Sequence, residues 1–470
     1  MQVIHLSVEC FPIAKVGGLA DVVGALPKYQ RELGVDAAVI MPYFNRKFVQ
    51  ENSFERVAQG QFYQGSALLS YELLKEKDDK LGFPLYLLKI PGLLDREEVY
   101  CYPDEADQWI AFQHAVLHYL NSLEQLPDIL HCHDHHVGLI PFLTKYSNDY
   151  KRLAEIRTVF TVHNGQYQGW MNWNKGILLP AFDTWRWGLM DWDGLINPLA
   201  TAIKCCEAYT TVSEGYLSEL YAEANGLQAL FSDERAKAHG IVNGIDSAYW
   251  DPEKDSLIIE NYGLANVDTG KLANKKMLCA QYELDPSLPL LSFIGRFATE
   301  KGADILDQLI EKLLQGEQAV QVFILGSGDA GIQQQIAALL PRFKGRLAAY
   351  FGYNEGLAHQ VYAASDLLIM PSRVEPCGLN QLYALKYGTI PVVRGIGGLK
   401  DTVIDVTADG YGFVFADVDA QEAAATVQRA LAYIDNPQQL DHIRDKAMEL
   451  DFSWHKSAQK YIDLYNQLVR

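Results

Sequence analysis

Between residues 289 and 394 short apolar runs alternate with segments of helical spacing, and that alternation admits few folds. The runs at 289–295, 320–326, 347–351, 366–371 and 389–394 have the length and β-branched content of buried strands. The segments between them, 303–314, 332–342, 357–364 and 379–387, repeat apolar residues at helical intervals. Strand, helix and strand in regular succession close by right-handed crossovers into a parallel sheet covered on both faces. The expected class is therefore α/β and doubly wound, with ligands gathering beyond the carboxyl ends of the strands. The first half follows the same grammar less regularly. Residues 2–8 read as a buried strand, Leu19, Val22, Val23, Leu26 and Leu33 fall at helical spacing, and 35–41 returns as a strand. Further strands are expected at 84–90, 128–133, 157–163 and 207–213.

A chain of 470 residues exceeds what one core usually organises, so about two or three domains are expected, and two large ones fit best, 1–245 and 246–450, followed by a final segment 451–470. The polar stretch at 250–285 reads as the connection between them. A formal net charge of −19 repels nucleic acid and anionic membranes, so an anionic ligand needs a local basic pocket. No run approaches the roughly 18 unbroken apolar residues of a membrane span. Seven cysteines without metal-type spacing argue against a disulfide framework and for a reducing compartment, so a cytoplasmic location is expected. The opening MQVIHLSVEC lacks a basic leader and reads as the first strand.

Several loops have the composition of ligand contacts, each with an ordinary structural alternative. Lys15-Val16-Gly17-Gly18-Leu19 precedes a helix, where paired glycines let backbone approach a ligand and a helix N-terminus offers N–H groups to an anion. A tight turn with a surface lysine explains it equally. His131-Cys132-His133-Asp134-His135-His136 is dense enough in imidazole to suggest a metal, but neighbouring residues of a strand face opposite ways, so four histidines do not easily converge. A polar strand end is the competing account, and no metal is assigned. His163, in Thr161-Val162-His163-Asn164-Gly165, ends another strand.

In the second half, Arg296 and Lys301 of 295–302 place two cations beyond a strand, suited to a departing pyrophosphate unless Glu300 simply pairs with them. Glu375 precedes a proline at a strand-to-helix turn, as a sugar ligand or a helix cap. Gly395-Ile396-Gly397-Gly398-Leu399 repeats the glycine-loop logic. Gly326-Ser327-Gly328-Asp329-Ala330-Gly331 has the form GxGxxG, which keeps a nicotinamide-dependent dehydrogenase as an alternative. It follows the second strand of its domain, however, and no acidic residue ends the next strand at the usual distance.

Taken in order, KVGGLADV at 15–22, HCHDHHVGL at 131–139, TVHNGQYQG at 161–169, VNGID at 242–246, GRFATEKG at 295–302, LGSGD at 325–329, FGYNEG at 351–356, the long segment PSRVEPCGLNQLYALKYGTIPVV at 371–393 and FSWHKSAQKYIDLY at 452–465 closely resemble the bacterial glycogen synthase and plant starch synthase family. The resemblance spans nearly the whole chain. It implies a GT-B architecture, two Rossmann-like domains facing across a deep cleft, with the terminal helix crossing back to the first. It implies transfer of glucose with retention from ADP-glucose, or alternatively UDP-glucose, to the end of an α-1,4-glucan, without cofactor or metal. By the same resemblance, Lys15, Gly17 and Gly18 approach the donor phosphates, Arg296 and Lys301 bind the pyrophosphate, Tyr353 stacks on the base, and Gly397 and Gly398 cradle the distal phosphate. Asp134, His163 and Asn243 match positions near the transferred glucose, Glu375 faces that sugar, and Cys377, Gly378 and Leu379 complete its loop. His163, Arg296, Lys301 and Glu375 form the implied catalytic set. Their joint presence speaks against a non-catalytic sugar-nucleotide or glucan-binding protein. Val16 and Ile396 stand where family members often carry Thr, and His135 where Trp is usual, the last change falling among acceptor-side contacts.

Overall fold

The structure, a computed structural model, describes residues 1–469. The chain divides into two compact units. One comprises Met1–Val242 together with the segment that begins at Trp454, and the other is Asn243–Ser453.

The strands of the first unit are β1 Gln2–Leu6, β2 Asp36–Pro42, β3 Phe54–Gln64, β4 Ala67–Glu76, β5 Leu85–Lys89, β6 Ile129–His133, β7 Arg157–Val162, β8 Asp191–Trp192, β9 Leu195–Ile196, β10 Ala208–Thr211 and β11 Ala238–Gly240. Nine of them form one sheet in the order β11-β10-β7-β6-β1-β2-β5-β4-β3. Its pairs are parallel except at one edge, where β3, β4 and β5 run antiparallel. The helix Gly18–Glu32 joins β1 to β2 and buries Val22, Leu26 and Tyr29. Against that helix and the strand residues Val3, Ile129, Val159 and Ala208 lies the helix Trp454–Leu468, which contributes Trp454, Ala458, Tyr461, Ile462 and Tyr465 to the same apolar cluster.

The second unit carries β12 Leu290–Phe297, β13 Gln321–Gly328, β14 Leu347–Phe351, β15 Leu367–Met370, β16 Ile390–Arg394 and β17 Phe413–Phe415. All are parallel, in the order β14-β13-β12-β15-β16-β17. The order reverses between β12 and β15, where crossovers depart to either side and leave a crevice at the carboxyl edge.

Beyond the short strands β8, β9, β11 and β17, which the sequence reading does not contain, two larger regions depart from it. The stretch 250–285 is not a bare connection, since Val267–Tyr282 is a helix. Its inward positions recur at helical spacing but are largely polar, Gly270, Lys271, Asn274 and Lys275 among them. Burial of Lys271 is offset because its Nζ donates to the carbonyls of Tyr362, Ala363 and Tyr387 at 3.0–3.2 Å and to Thr389 Oγ1 at 2.8 Å. The β3–β4 hairpin was not anticipated either. Only alternate residues near its turn are buried, and Gly65, at φ +61°, makes the two-residue connection.

Candidate active site

Asn243 apart, the polar segments singled out in the second unit follow strands at the carboxyl edge of its sheet. β12 leads into Thr299–Lys301, β14 into Tyr353, β15 into the loop 371–378 and β16 into 395–398. Gly302, at φ +66°, lets the loop after β12 lie against the loop after β15, because a Cβ there would collide with the Pro371 backbone. The close approach brings Lys301 to Glu375. Lys301 Nζ donates to Oε1 at 2.7 Å and to Oε2 at 2.8 Å, and Ser372 Oγ donates to Oε2 at 2.9 Å. Glu375 is buried, and three hydrogen bonds from two donor groups, Lys301 Nζ and Ser372 Oγ, offset the cost of burying its carboxyl group.

The loop after β16 packs on the same segment. A Cβ on Gly397, which sits at φ +47°, would strike the Glu375 carbonyl, and one on Gly398 would strike the Cys377 backbone. Gly398 N–H donates to Glu375 O at 3.0 Å. Gly378 adopts φ +75°, and Leu379 immediately precedes the helix Asn380–Lys386. Burial pushes the Cys377 thiol up to about 12, so it is no nucleophile at neutral pH. Asn243 is buried, and its Oδ1 has no hydrogen-bond partner among the described residues. Arg296 is exposed and paired with Glu300. The phenol of Tyr353 donates to Glu355 Oε2 at 2.7 Å, and the residue is 76% exposed.

The residues singled out in the first unit lie at the ends of β1, β6 and β7. Lys15 Nζ is 2.7 Å from Asp21 Oδ1 and stands over the Phe11 ring. The loop differs from the sequence expectation in one respect. Two of its N–H groups, those of Val16 and Gly17, are already committed to Glu9 Oε2 at 2.6 and 2.9 Å. Tyr100 OH donates to the other oxygen of Glu9 at 2.6 Å. Nothing in the sequence signalled Glu9, whose partners are local in space but not patterned in the chain. A Cβ on Gly17 or Gly18 would meet no atom within 4 Å, so these glycines keep open space over the loop.

Asp134 ends β6 at φ +60°, a conformation that is costly for a residue with a side chain and clusters at functional sites. Its Oδ1 accepts the His163 N–H at 2.8 Å, and its own N–H donates to Thr161 O at 3.0 Å, which locks the ends of β6 and β7 together. Burial raises its carboxyl to about 7, against the pull of that backbone donor. Burial also lowers His163 to about 3, so its imidazole is neutral. His131 and His133, two apart on β6, face the same side as His5 and stack on one another at 4.2 Å. Ligand atoms of His5, His131 and His133 lie within 4.8 Å of one another. His135 packs instead against His136, with ring centroids 3.8 Å apart, and beneath Gly169.

Residues 2–233 match the family described as Starch synthase catalytic domain, and residues 276–447 match Glycosyl transferases group 1. A glycogen synthase of Flavobacterium johnsoniae is 46% identical over the full length of both chains. The chain belongs to the glycogen and starch synthase family. A glycogen synthase of Geobacillus stearothermophilus is 34% identical over 100% of this chain and 98% of its own. Among solved structures, the catalytic domain of starch synthase IV from Arabidopsis thaliana, bound to ADP and acarbose, superposes with a TM-score of 0.88. It is 30% identical, and the match covers 100% of this chain and 99% of that one. Sucrose-phosphate synthase from Thermosynechococcus elongatus, at TM-score 0.63 and 19% identity over 99% and 98% of the two chains, shares the fold.

This member of the glycogen and starch synthase family is thus a glycosyltransferase with a GT-B, two-unit α/β architecture. The dehydrogenase alternative falls with that assignment, and the geometry at 326–331 agrees. Asp329 Oδ1 accepts the Ile332 N–H at 3.0 Å and so occupies the helix N-terminus where a dinucleotide pyrophosphate would sit. No helix among the described residues is long and apolar enough to cross a membrane.

Proposed function

We propose that the chain transfers glucose, with retention of the α-anomer, from ADP-glucose to the non-reducing end of an α-1,4-glucan. The observation that carries the reading is the likeness, over all of this chain, to a starch synthase bound to ADP and acarbose. In the second unit Lys301 and Arg296 neutralise the diphosphate as it departs, so no strong acid is needed to protonate it. Glu375, oriented by Lys301 and Ser372, accepts from sugar hydroxyls and offsets positive charge at the anomeric carbon. Asn243 Oδ1, buried without a donor, is assigned to a glucose hydroxyl, because an unpaired buried oxygen is costly until a ligand fills it. Tyr353 stacks on the base, and the 397–398 and 377–379 backbone holds the distal phosphate and the sugar. In the first unit Lys15 with Gly17 and Gly18 is assigned to the donor phosphates, and Asp134 and His163 to the transferred glucose. The seven thiols, none of them in a disulfide, accord with a reducing, cytoplasmic setting.

The test offers ADP-glucose and UDP-glucose separately with glycogen and follows diphosphate release and glucan growth. Faster growth with ADP-glucose is expected, with turnover falling at least about 100-fold in folded Lys301→Ala and Glu375→Ala variants. Turnover near the wild-type rate in both variants would overturn the site assignment. Preference for UDP-glucose would overturn the choice of donor alone.

A further inference from the structure

The three histidines brought together in the first unit have the spacing of a metal site, yet all six of their ring nitrogens already have partners. His5 Nε2 lies 2.7 Å from Gln30 Oε1, and His5 Nδ1 lies 3.0 Å from His133 Nε2. His133 Nδ1 lies 3.0 Å from His163 Nε2. His131 uses Nδ1 on Tyr465 OH and Nε2 on Thr161 Oγ1, both at 2.6 Å, and Thr161 Oγ1 continues to Thr210 Oγ1 at 2.6 Å. Gln30 joins the two branches, because its Nε2 donates to Tyr465 OH at 3.1 Å. A chain of imidazoles therefore runs from an amide on the helix Gly18–Glu32, through β1 and β6, to His163 at the end of β7.

We propose that Gln30, His5 and His133 are positioning residues that set the tautomer of His163. A neutral imidazole has one donor nitrogen and one acceptor, so fixing one end of such a chain fixes every ring along it. Gln30 Oε1 only accepts, which places the proton of His5 on Nε2 and leaves its Nδ1 to accept. His133 then donates through Nε2 and accepts through Nδ1, and His163 donates through Nε2. The outcome is a His163 ring whose Nδ1 keeps its lone pair and whose orientation is held from behind, as an acceptor for a sugar hydroxyl. The rings are buried and burial holds each of them neutral, which this one-proton logic requires. In the structure the Gln30 amide faces Tyr465 with its nitrogen. With Nε2 committed to the phenol, Oε1 is left for His5. The opposite amide orientation would reverse the proton on His5, His133 and His163 in turn and put the His163 proton on Nδ1.

The contribution to turnover rests on the proposed role of His163 at the transferred glucose, whereas the tautomer does not, so the two are read separately. The full chain is labelled with 15N at histidine, and the pyrrole-type and pyridine-type nitrogens are distinguished by their one-bond protons and 15N shifts. His5, His133 and His163 are each expected to carry the proton on Nε2. Gln30→Glu keeps an acceptor at the head of the chain and should retain that pattern. Gln30→Lys presents only donors and should move the His163 proton to Nδ1. With that change kcat is expected to fall about tenfold or more while the donor KM stays within about twofold, and Gln30→Glu should recover most of the loss. A wild-type His163 protonated on Nδ1 overturns the proposal, as does a folded Gln30→Lys protein whose His163 tautomer is unchanged. If Gln30→Lys does not fold, the wild-type and Gln30→Glu spectra decide it. A changed tautomer without a change in kcat would retain the relay and reject the role of His163 in transfer.

Discussion

Lys301 and Glu375, 74 positions apart in sequence, form a two-pronged ion pair with Nζ–O distances of 2.7 and 2.8 Å. Removing either partner leaves the other charge short of its counter-charge in a largely buried setting. Lys301→Met and Glu375→Gln should each cost about 2–4 kcal/mol, and the double variant should lose less than their sum by about 1–3 kcal/mol. Denaturant unfolding of the four proteins measures that coupling. Strict additivity would mean that the pair contributes nothing as a unit.

The two glycine pairs should respond to alanine in opposite ways. At Gly398 the added carbon meets the Cys377 backbone, so Gly398→Ala is expected to cost at least about 2 kcal/mol and to displace the loop carrying Glu375. At Gly18 the added carbon meets nothing, and alanine is the better helix former. Gly18→Ala should therefore leave stability unchanged or slightly raised while weakening use of the nucleotide-sugar. Thermal melting and donor KM, taken together, separate the two cases.

Stability should fall as the medium is acidified from about pH 6.5 to about 4. Burial holds His5 and His114 at about 4, His163 at about 3, and His131, His133 and His136 well below their usual 6.5. These rings stay neutral in the fold but take up protons once the chain unfolds. Below 6.5 the unfolded state binds more protons, and each such ring adds up to about 1.4 kcal/mol of loss per pH unit. Asp134 acts in the opposite sense. Its folded value of about 7 exceeds the ordinary 3.8, so its contribution is present at low pH and is lost as pH rises toward 7. One carboxyl is outweighed by the histidines. A urea midpoint that held level between pH 6.5 and 4 would contradict this.

Tyr353 is expected to act through its ring face, because its hydroxyl is engaged by Glu355. Tyr353→Ala should raise the donor KM by about 5- to 100-fold, the range that base stacking on an aromatic ring supports, and Tyr353→Phe should change it little. Steady-state kinetics at saturating glucan give the comparison.

How much of this was legible in the chain follows from what periodicity records. Five of the six strands of the second sheet were readable because they are largely buried and the helices between them carry an apolar stripe, whereas the three-residue edge strand β17 is too short to show a period. The helix Val267–Tyr282 was not, because Lys271 and Asn274 occupy inward positions through hydrogen bonds that no hydropathy pattern encodes. The β3–β4 hairpin escaped for a related reason, since it lies at a sheet edge with most of its side chains in water. Lys301 and Glu375 were recognised singly, but their contact depends on Gly302 and the loop crossing it permits. Alternation along β6 correctly separated neighbouring histidines, yet it said nothing of His5 on the adjacent strand, or of Glu9 beneath the glycine loop.

The helix Trp454–Leu468 fixes the order in which the molecule can be completed. Its tryptophan and tyrosines fill the same apolar cluster as Val3 and Ile129, so the first unit is sealed by residues that leave the ribosome after the whole of the second. Until then the first sheet has an open flank, and a fragment ending at Val242 keeps that flank open permanently. Each unit is compact, yet the first is not complete as a product of synthesis until the second has been made.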